Sequence, residues 1–260
     1  RFEYRAVGSS ANCASALIVL NSVVANQLRK FKTEVDNLVE EGTKKDEAIF
    51  QVLKKLIIET KPIRFNGNGY SEEWVEEAAK RGLTNIKNVP EALSAYMRPE
   101  NIKMFEELQV FDKKELHGRV EVEYEKFIKK IQIESRVLGD LAINHIVPVA
   151  VKYQTMLLQN VCYMKEVFTN GEFEEMAGGR KNLIKEIGRH ISTIKAQVHD
   201  MVEERKKANV IEDAIEKAKA YNDNVLPYLS EIRYHIDKLE LVVDNELWPL
   251  PKYRELLFVR

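Results

Sequence analysis

The feature that most limits what this chain can become is a run of helical periodicity from Lys113 to Phe168. Within it Val120, Tyr124, Phe127, Ile131, Leu138 and Leu141 recur in steps of three, four and seven. That spacing keeps the six residues on one stripe of an α-helix. A stripe of this kind is stable only when another element covers it, and the sequence supplies candidates. Ile187, Ile191, Ile194, Val198 and Met201 form a second stripe that runs out in the charged stretch "EERKK". Ile211, Ile215, Ala218 and Val225 begin a third, which resumes after Pro227 with Leu229, Ile232, Ile236, Leu239 and Val243. Two long antiparallel helices joined near Asn209 are the economical arrangement of the last two stripes, because each has one face to bury. Pro148 is expected to kink or divide the first long helix, "TNGEFEEMAGG" reads as the next break, and Asn209 with Glu212 reads as a capping pair.

Upstream, the pattern is of shorter pieces. "ALIVLNSVVANQLRKFKTEVDNLVEEG" reads as a helix that Gly42 stops, since glycine accepts the left-handed conformation after a last turn. A helix over about 44–60 ends at Pro62, and Ser71 is placed to cap the next one, with Glu72 and Glu73 at its positive end. Pro90 and Pro99 suit the first turns of two short helices. Residues 1–7 alone alternate, with Arg1, Glu3 and Arg5 on one face and Phe2, Tyr4 and Ala6 on the other, which is the period of a strand. The fold expected is mainly α, with one N-terminal β-strand followed by a multi-helix region with long antiparallel helices and a docked aromatic tail, "NELWPLPKYRELLFVR". No internal repeat is visible.

Composition narrows the partners. The 260 residues are 45% apolar, enough for a packed core, and 40 basic residues against 41 acidic ones leave a net charge of -1. That balance does not single out nucleic acid as a partner. No apolar run reaches the length of a membrane span, so no membrane partner is expected. The two cysteines, Cys13 and Cys162, make neither a CxxC pair nor a disulfide framework, which fits a cytoplasmic setting, and Cys13 is expected to be a small buried hydrophobe.

Chemistry concentrates at the start. A strand would project Arg1, Glu3 and Arg5 in one direction about 6–7 Å apart. A carboxylate between two guanidinium groups stays ionised and can hold a hard divalent cation, and the arginines can take phosphate oxygens by bidentate hydrogen bonds. Those are the parts of a phosphoryl-transfer site. On spacing alone a strand face of mutually satisfied salt bridges is the simpler account.

The surrounding words go further. "RFEYR" followed by "ANCASALIVLN" resembles the end of the glutamine synthetase catalytic domain, where an Arg-x-Glu-x-Arg strand precedes an Ala-Asn segment and an alanine-rich apolar helix. The commoner synthetases continue with a proline-containing stretch and Ala-Asn-Pro, whereas "AVGSSANCA" stands here, a form similar to the type III synthetases. "KPIRFNGNGYSEEWVEEAAKRGL", "KIQIESRVLGDLAINHIVPVAVKYQ" and the terminal stretch resemble the C-terminal region of that family, so the likeness extends over essentially the whole chain. The resemblance implies that residues 1–42 end a catalytic domain whose earlier part lies upstream. It makes 43–260 a C-terminal helical domain, with short helices over 43–111 and a long-helix bundle over 112–260. It implies Glu3 as a ligand of the Mg²⁺ or Mn²⁺ that meets the phosphates of ATP, Arg5 on the phosphoryl group being transferred, and Arg1 on the nucleotide phosphates. The activity implied is ATP-dependent amidation of glutamate with ammonia through a γ-glutamyl phosphate, in a ring-type homo-oligomer. The other metal ligands of the family lie upstream, so this length of chain is expected to be inactive alone. The reading from a different class is a stand-alone helical interaction or oligomerisation module.

Other residues are weaker candidates. The loop Asn66-Gly67-Asn68-Gly69 beside Arg64 could cradle an anion through its backbone N–H groups, but it lacks the Lys-Ser/Thr of a P-loop, and a turn leading into a capped helix is the simpler account. Glu134 and His145 interrupt the apolar stripe and are expected to be helix-packing polar groups satisfied by neighbours, with a catalytic acid/base role as the alternative. His117, His190, His199 and His235 show no zinc-binding spacing.

Overall fold

The computed structural model describes residues 12–257. The expected strand over residues 1–7 lies outside them, and the described residues are helical with short connections, as the mainly α reading requires. The chain divides into two compact units, residues 1–120 and 121–260.

In the first unit, α1 (Ala14–Glu40) and α2 (Lys45–Glu59) form a hairpin. Its turn holds Gly42 at φ +95°, with Gly42 N–H donating to the Val39 carbonyl and Thr43 N–H to the Leu38 carbonyl. Glycine takes that conformation without the Cβ clash any other residue would meet. Val35, Ala48 and Val52 are the centre of the hairpin, and Phe31, Leu38, Ile49 and Leu56 flank them. Lys55 pairs with Glu34 across it at 2.9 Å. The next three helices are α3 (Glu72–Lys80), α4 (Val89–Ser94) and α5 (Pro99–Glu107). Ser71 caps α3, its hydroxyl accepting from Trp74 N–H at 3.3 Å, and Pro90 and Pro99 stand in first turns as their fixed φ suits. Arg29 on α1 holds the end of α5 by pairing with the Glu107 carboxylate and donating to its carbonyl at 3.1 Å.

The helical run from Lys113 does not break at Pro148. Helix α6 (Lys113–Asp140) passes through a π turn, Leu141–Ile146, into α7 (Val147–Val167), where Pro148 occupies the first turn. A proline inside a regular α-helix removes one hydrogen bond and drives its ring against the carbonyl four residues back. Widening the preceding turn relieves that clash. Pro227 repeats the device: a π turn at Tyr221–Val225 joins α9 (Ala214–Ala220) to α10 (Leu226–Val242).

Between these lies α8 (Asn170–Asn209), which packs on α7 and α10 and is the central element of the second unit. Its expected stripe, Ile187, Ile191, Ile194, Val198 and Met201, is buried throughout, as are Ile232, Ile236 and Leu239 from α10 and Val243 just after it. The expected break at "TNGEFEEMAGG" shrinks to Phe168 and Thr169. Thr169 and Glu172 form a reciprocal capping box, and Phe173 and Ala177 bury against Met164, so the helix begins early and continues through Gly178 and Gly179. The Asn209–Glu212 capping pair is also corrected. Asp213 caps α9 by accepting from Glu216 N–H at 2.8 Å, while Asn209 ends α8. The tail folds back as expected: Trp248 is buried, and Lys252 donates to the Glu240 carbonyl at the end of α10 at 2.6 Å.

Candidate functional site

Arg1, Glu3 and Arg5 lie outside the described residues, which start at Asn12. Asn12 accepts from Ala14 N–H at 2.8 Å and so opens α1, the helix that follows the motif. Cys13 beside it is exposed rather than buried, because it precedes the first helical turn and no core residue reaches it.

The loop at 62–70 is built as a support and not as a cradle. Arg64 turns its guanidinium back to the Ile57 carbonyl at 2.7 Å, and Arg81 donates to the carbonyls of Pro62 and Arg64 at 3.1 and 3.0 Å. Phe65 stacks on Trp74 with centroids 4.1 Å apart, and a Cβ at Gly67 would stand 2.4 Å from the Phe65 ring, so only glycine fits under it. The Asn68 side chain accepts from Tyr70 N–H at 3.1 Å, turning the chain into the capped helix.

Glu134 and His145 do not face the core. Glu134 is exposed on the ladder of helix-surface charges, 4.0 Å from Lys130, and His145 is exposed 4.0 Å from Asp140. The buried polar side chain of this stretch is Ser135, whose hydroxyl donates to the Gln132 carbonyl at 3.1 Å. Among the described residues no group of three or more His, Cys, Asp or Glu could hold a metal ion.

Two polar clusters join α8 to its neighbours, and the sequence reading found neither. At the middle of α8 His190 meets His235 of α10, Nδ1 to Nδ1 at 2.8 Å, one ring donating and the other accepting. Burial, then the charge of His235, pushes His190 below the ordinary histidine range. At its C-terminal end the Tyr221 hydroxyl, fully buried with its ring, donates to Asn209 Oδ1 at 2.6 Å, and Gln132 Nε2 donates to both Asn209 Oδ1 at 3.0 Å and the hydroxyl at 3.3 Å. Burial raises the Tyr221 hydroxyl above the usual phenol value, opposed by the Gln132 hydrogen bond and by the charges of Arg205 and Arg136. Residues 45 or more apart in sequence make most of these contacts, so no local spacing announces them.

The family follows from comparison of this helical scaffold with known sequences. The family model described as "Glutamine synthetase C-terminal domain" matches residues 48–165. Across all 260 residues the chain is 59% identical to "Glutamine synthetase" of Bacteroides fragilis (strain YCH46). The chain carries a glutamine synthetase C-terminal domain. It is 30% identical over the same 260 residues to "Type-3 glutamine synthetase" of Dictyostelium discoideum, and 32% over 220 residues to "Glutamine synthetase" of Butyrivibrio fibrisolvens. The chain spans about a third of the length of these curated relatives: 36%, 35% and 30%. The segment matched to the glutamine synthetase C-terminal domain runs from α2, through the short helices and the 62–70 loop, to the end of α7. The Phe65–Trp74 stack and the π turn before Pro148 lie within this matched segment. No helix of the described residues is long and apolar enough to cross a membrane.

Proposed function

We propose that this chain is the C-terminal part of a type III glutamine synthetase that condenses glutamate with ammonia at the expense of ATP. Residues 1–42 close the catalytic domain in this reading, and 43–260 form the helical domain that follows it. The observation that carries the proposal is an overall identity of 59% in a match that spans all 260 residues of the chain.

In the reaction an oxygen of the substrate's side-chain carboxylate attacks the γ-phosphorus of ATP, and ADP leaves. Ammonia then attacks the acyl carbon, and phosphate leaves with the proton balance completed by loss of one ammonium proton. Charge spreads over the phosphoryl oxygens as the first step proceeds, so fixed cations close to them lower the barrier. Arg5 would offer two parallel N–H groups to the transferred phosphoryl group, and Arg1 would hold the nucleotide phosphates. Glu3 would contribute one oxygen to a divalent cation, Mg²⁺ or Mn²⁺, which neutralises phosphate charge when bound. Such an ion collects several oxygen ligands, so in this reading Glu3 is one ligand among several. We place the enzyme in the cytoplasm as a ring-type homo-oligomer with active sites shared between neighbouring subunits.

The test is made in the intact enzyme. Glu3→Ala should raise the metal concentration needed for half-maximal activity and lower kcat, whereas Arg5→Ala should lower kcat at saturating metal and ATP by about 10² or more. Glutamine formation unchanged in both variants would remove the assignment.

A further inference from the structure

The antiparallel contacts of α8 with the α6–α7 run fix which residues stand opposite one another. Gln154 on α7 donates to the Ile184 carbonyl at 2.9 Å, a Cβ on Gly139 would lie 3.5 Å from Val198 and 3.6 Å from Met201, and Gln132 on α6 meets Asn209 at 3.0 Å. Each pair steps back along one partner as it steps forward along the other. Arg136 lies one helical turn beyond Gln132, and Arg205 one turn before Asn209, so the same register sets the two arginines opposite each other. The Tyr221 hydroxyl, held between Gln132 and Asn209, feels both of their charges.

Two facing guanidinium groups repel, and a protein that places them so normally interleaves a carboxylate. Here none is present among the described residues. Among the described residues neither arginine takes part in an ion pair, and the charges felt there at the half-buried Arg205 are those of Arg136 and the Tyr221 hydroxyl. Loss of water around Arg205 is its largest perturbation, so this cation is partly stripped of its solvent screen without a counter-charge. Arg136 remains exposed, which leaves the pair open to solutes. The Asn209 amide N–H₂, whose oxygen is committed to Tyr221 and Gln132, is a further donor with no bond of its own.

We infer that Arg136 and Arg205, with the Asn209 amide, form a binding site for a dianionic oxyanion such as a phosphate group. Two uncompensated positive charges match a doubly charged ligand, and planar guanidinium forks present paired N–H groups at the spacing of phosphate oxygens. A singly charged carboxylate would neutralise half of the pair and bind less well. The site lies on the helical bundle and does not depend on the catalytic reading of residues 1–5.

The probe is inorganic phosphate, titrated calorimetrically into the purified 260-residue chain at constant ionic strength, with chloride and acetate in parallel. Phosphate should bind with a measurable heat and one site, acetate more weakly and chloride not at all. Arg136→Gln and Arg205→Gln should each weaken phosphate by about tenfold or more, while Lys195→Gln, which removes an equal charge from the exposed face of α8, should leave it unchanged. Arginine side-chain NH resonances of the unmutated chain give a readout independent of any variant's folding, and those of both residues should shift together with phosphate. Phosphate heats equal to those of chloride, unshifted arginine resonances, or equal weakening by Lys195→Gln would each overturn the site.

Discussion

His190 and His235 show how a single proton can become a structural fastening. Their 2.8 Å contact needs one ring to donate and the other to accept, so protonating both rings removes the acceptor and sets two cations against each other. Around them stand Glu186 on the same helix, which favours a charged His190, Lys238 on α10, which opposes it, and the Tyr234 ring edge-on to His235. Burial dominates and depresses His190. The unfolded chain therefore binds this proton more readily than the folded one. The stabilising contribution is full above the ordinary histidine value, near 6.5, and is lost as pH falls through the depressed folded value. Urea midpoints measured at pH 8 and pH 5.5 should fall more in the parent chain than in His190→Gln; equal falls would show that the pair carries no such linkage. Ser71 is a simpler case. Its hydroxyl satisfies one of the orphan donors of α3, so Ser71→Ala should cost about 1 kcal/mol, seen as faster hydrogen exchange at the Trp74 and Val75 amides.

At the scale of elements, the α8 stripe was legible because five buried positions recur in steps of three and four, and nothing in the sequence competes with that signal. Ile194 is fully buried there, and Ile194→Ala should destabilise by about 2–5 kcal/mol in chemical denaturation. The α6–α7 stripe was legible only up to Ile131. One turn on, the buried position is Ser135 and Glu134 beside it is exposed, so the small polar residue hid the continuation of the face; past Asp140 the π turn changes the angle between successive side chains, and His145 falls outside. Both Glu134→Ala and His145→Ala should stay within about 0.5 kcal/mol of the parent by the same measurement. The capping box at Thr169 was hidden by the glycines that follow it, since Gly178 and Gly179 read as a break unless Phe173 and Ala177 are seen to bury. Tyr221, fully buried, was overlooked because its role depends on Gln132 and Asn209, which only the assembled helices bring together.

For the molecule as a whole, the first residues and the helical scaffold answer different questions. The Arg1-x-Glu3-x-Arg5 words named a chemistry, while the described helices carry the family match but assemble no cluster of metal-binding side chains. The chain alone should therefore show no glutamate- and ammonia-dependent conversion of ATP to ADP in a coupled assay, and sustained turnover would refute the division of labour proposed above. The π turn at Leu141–Ile146 has a larger consequence than accommodating a proline. In a regular α-helix each step of four residues overshoots a full turn by about 40°, so a face marked by such steps winds steadily around the rod. Tyr124, Ile128, Ile131 and Ser135 are buried before the turn, and Ala142, Ile146 and Ala150 are buried within and after it. The wider turn acts as a vernier: it resets the winding once, in mid-rod, and Ala142, Ile146 and Ala150 carry on the buried face that ends at Ser135.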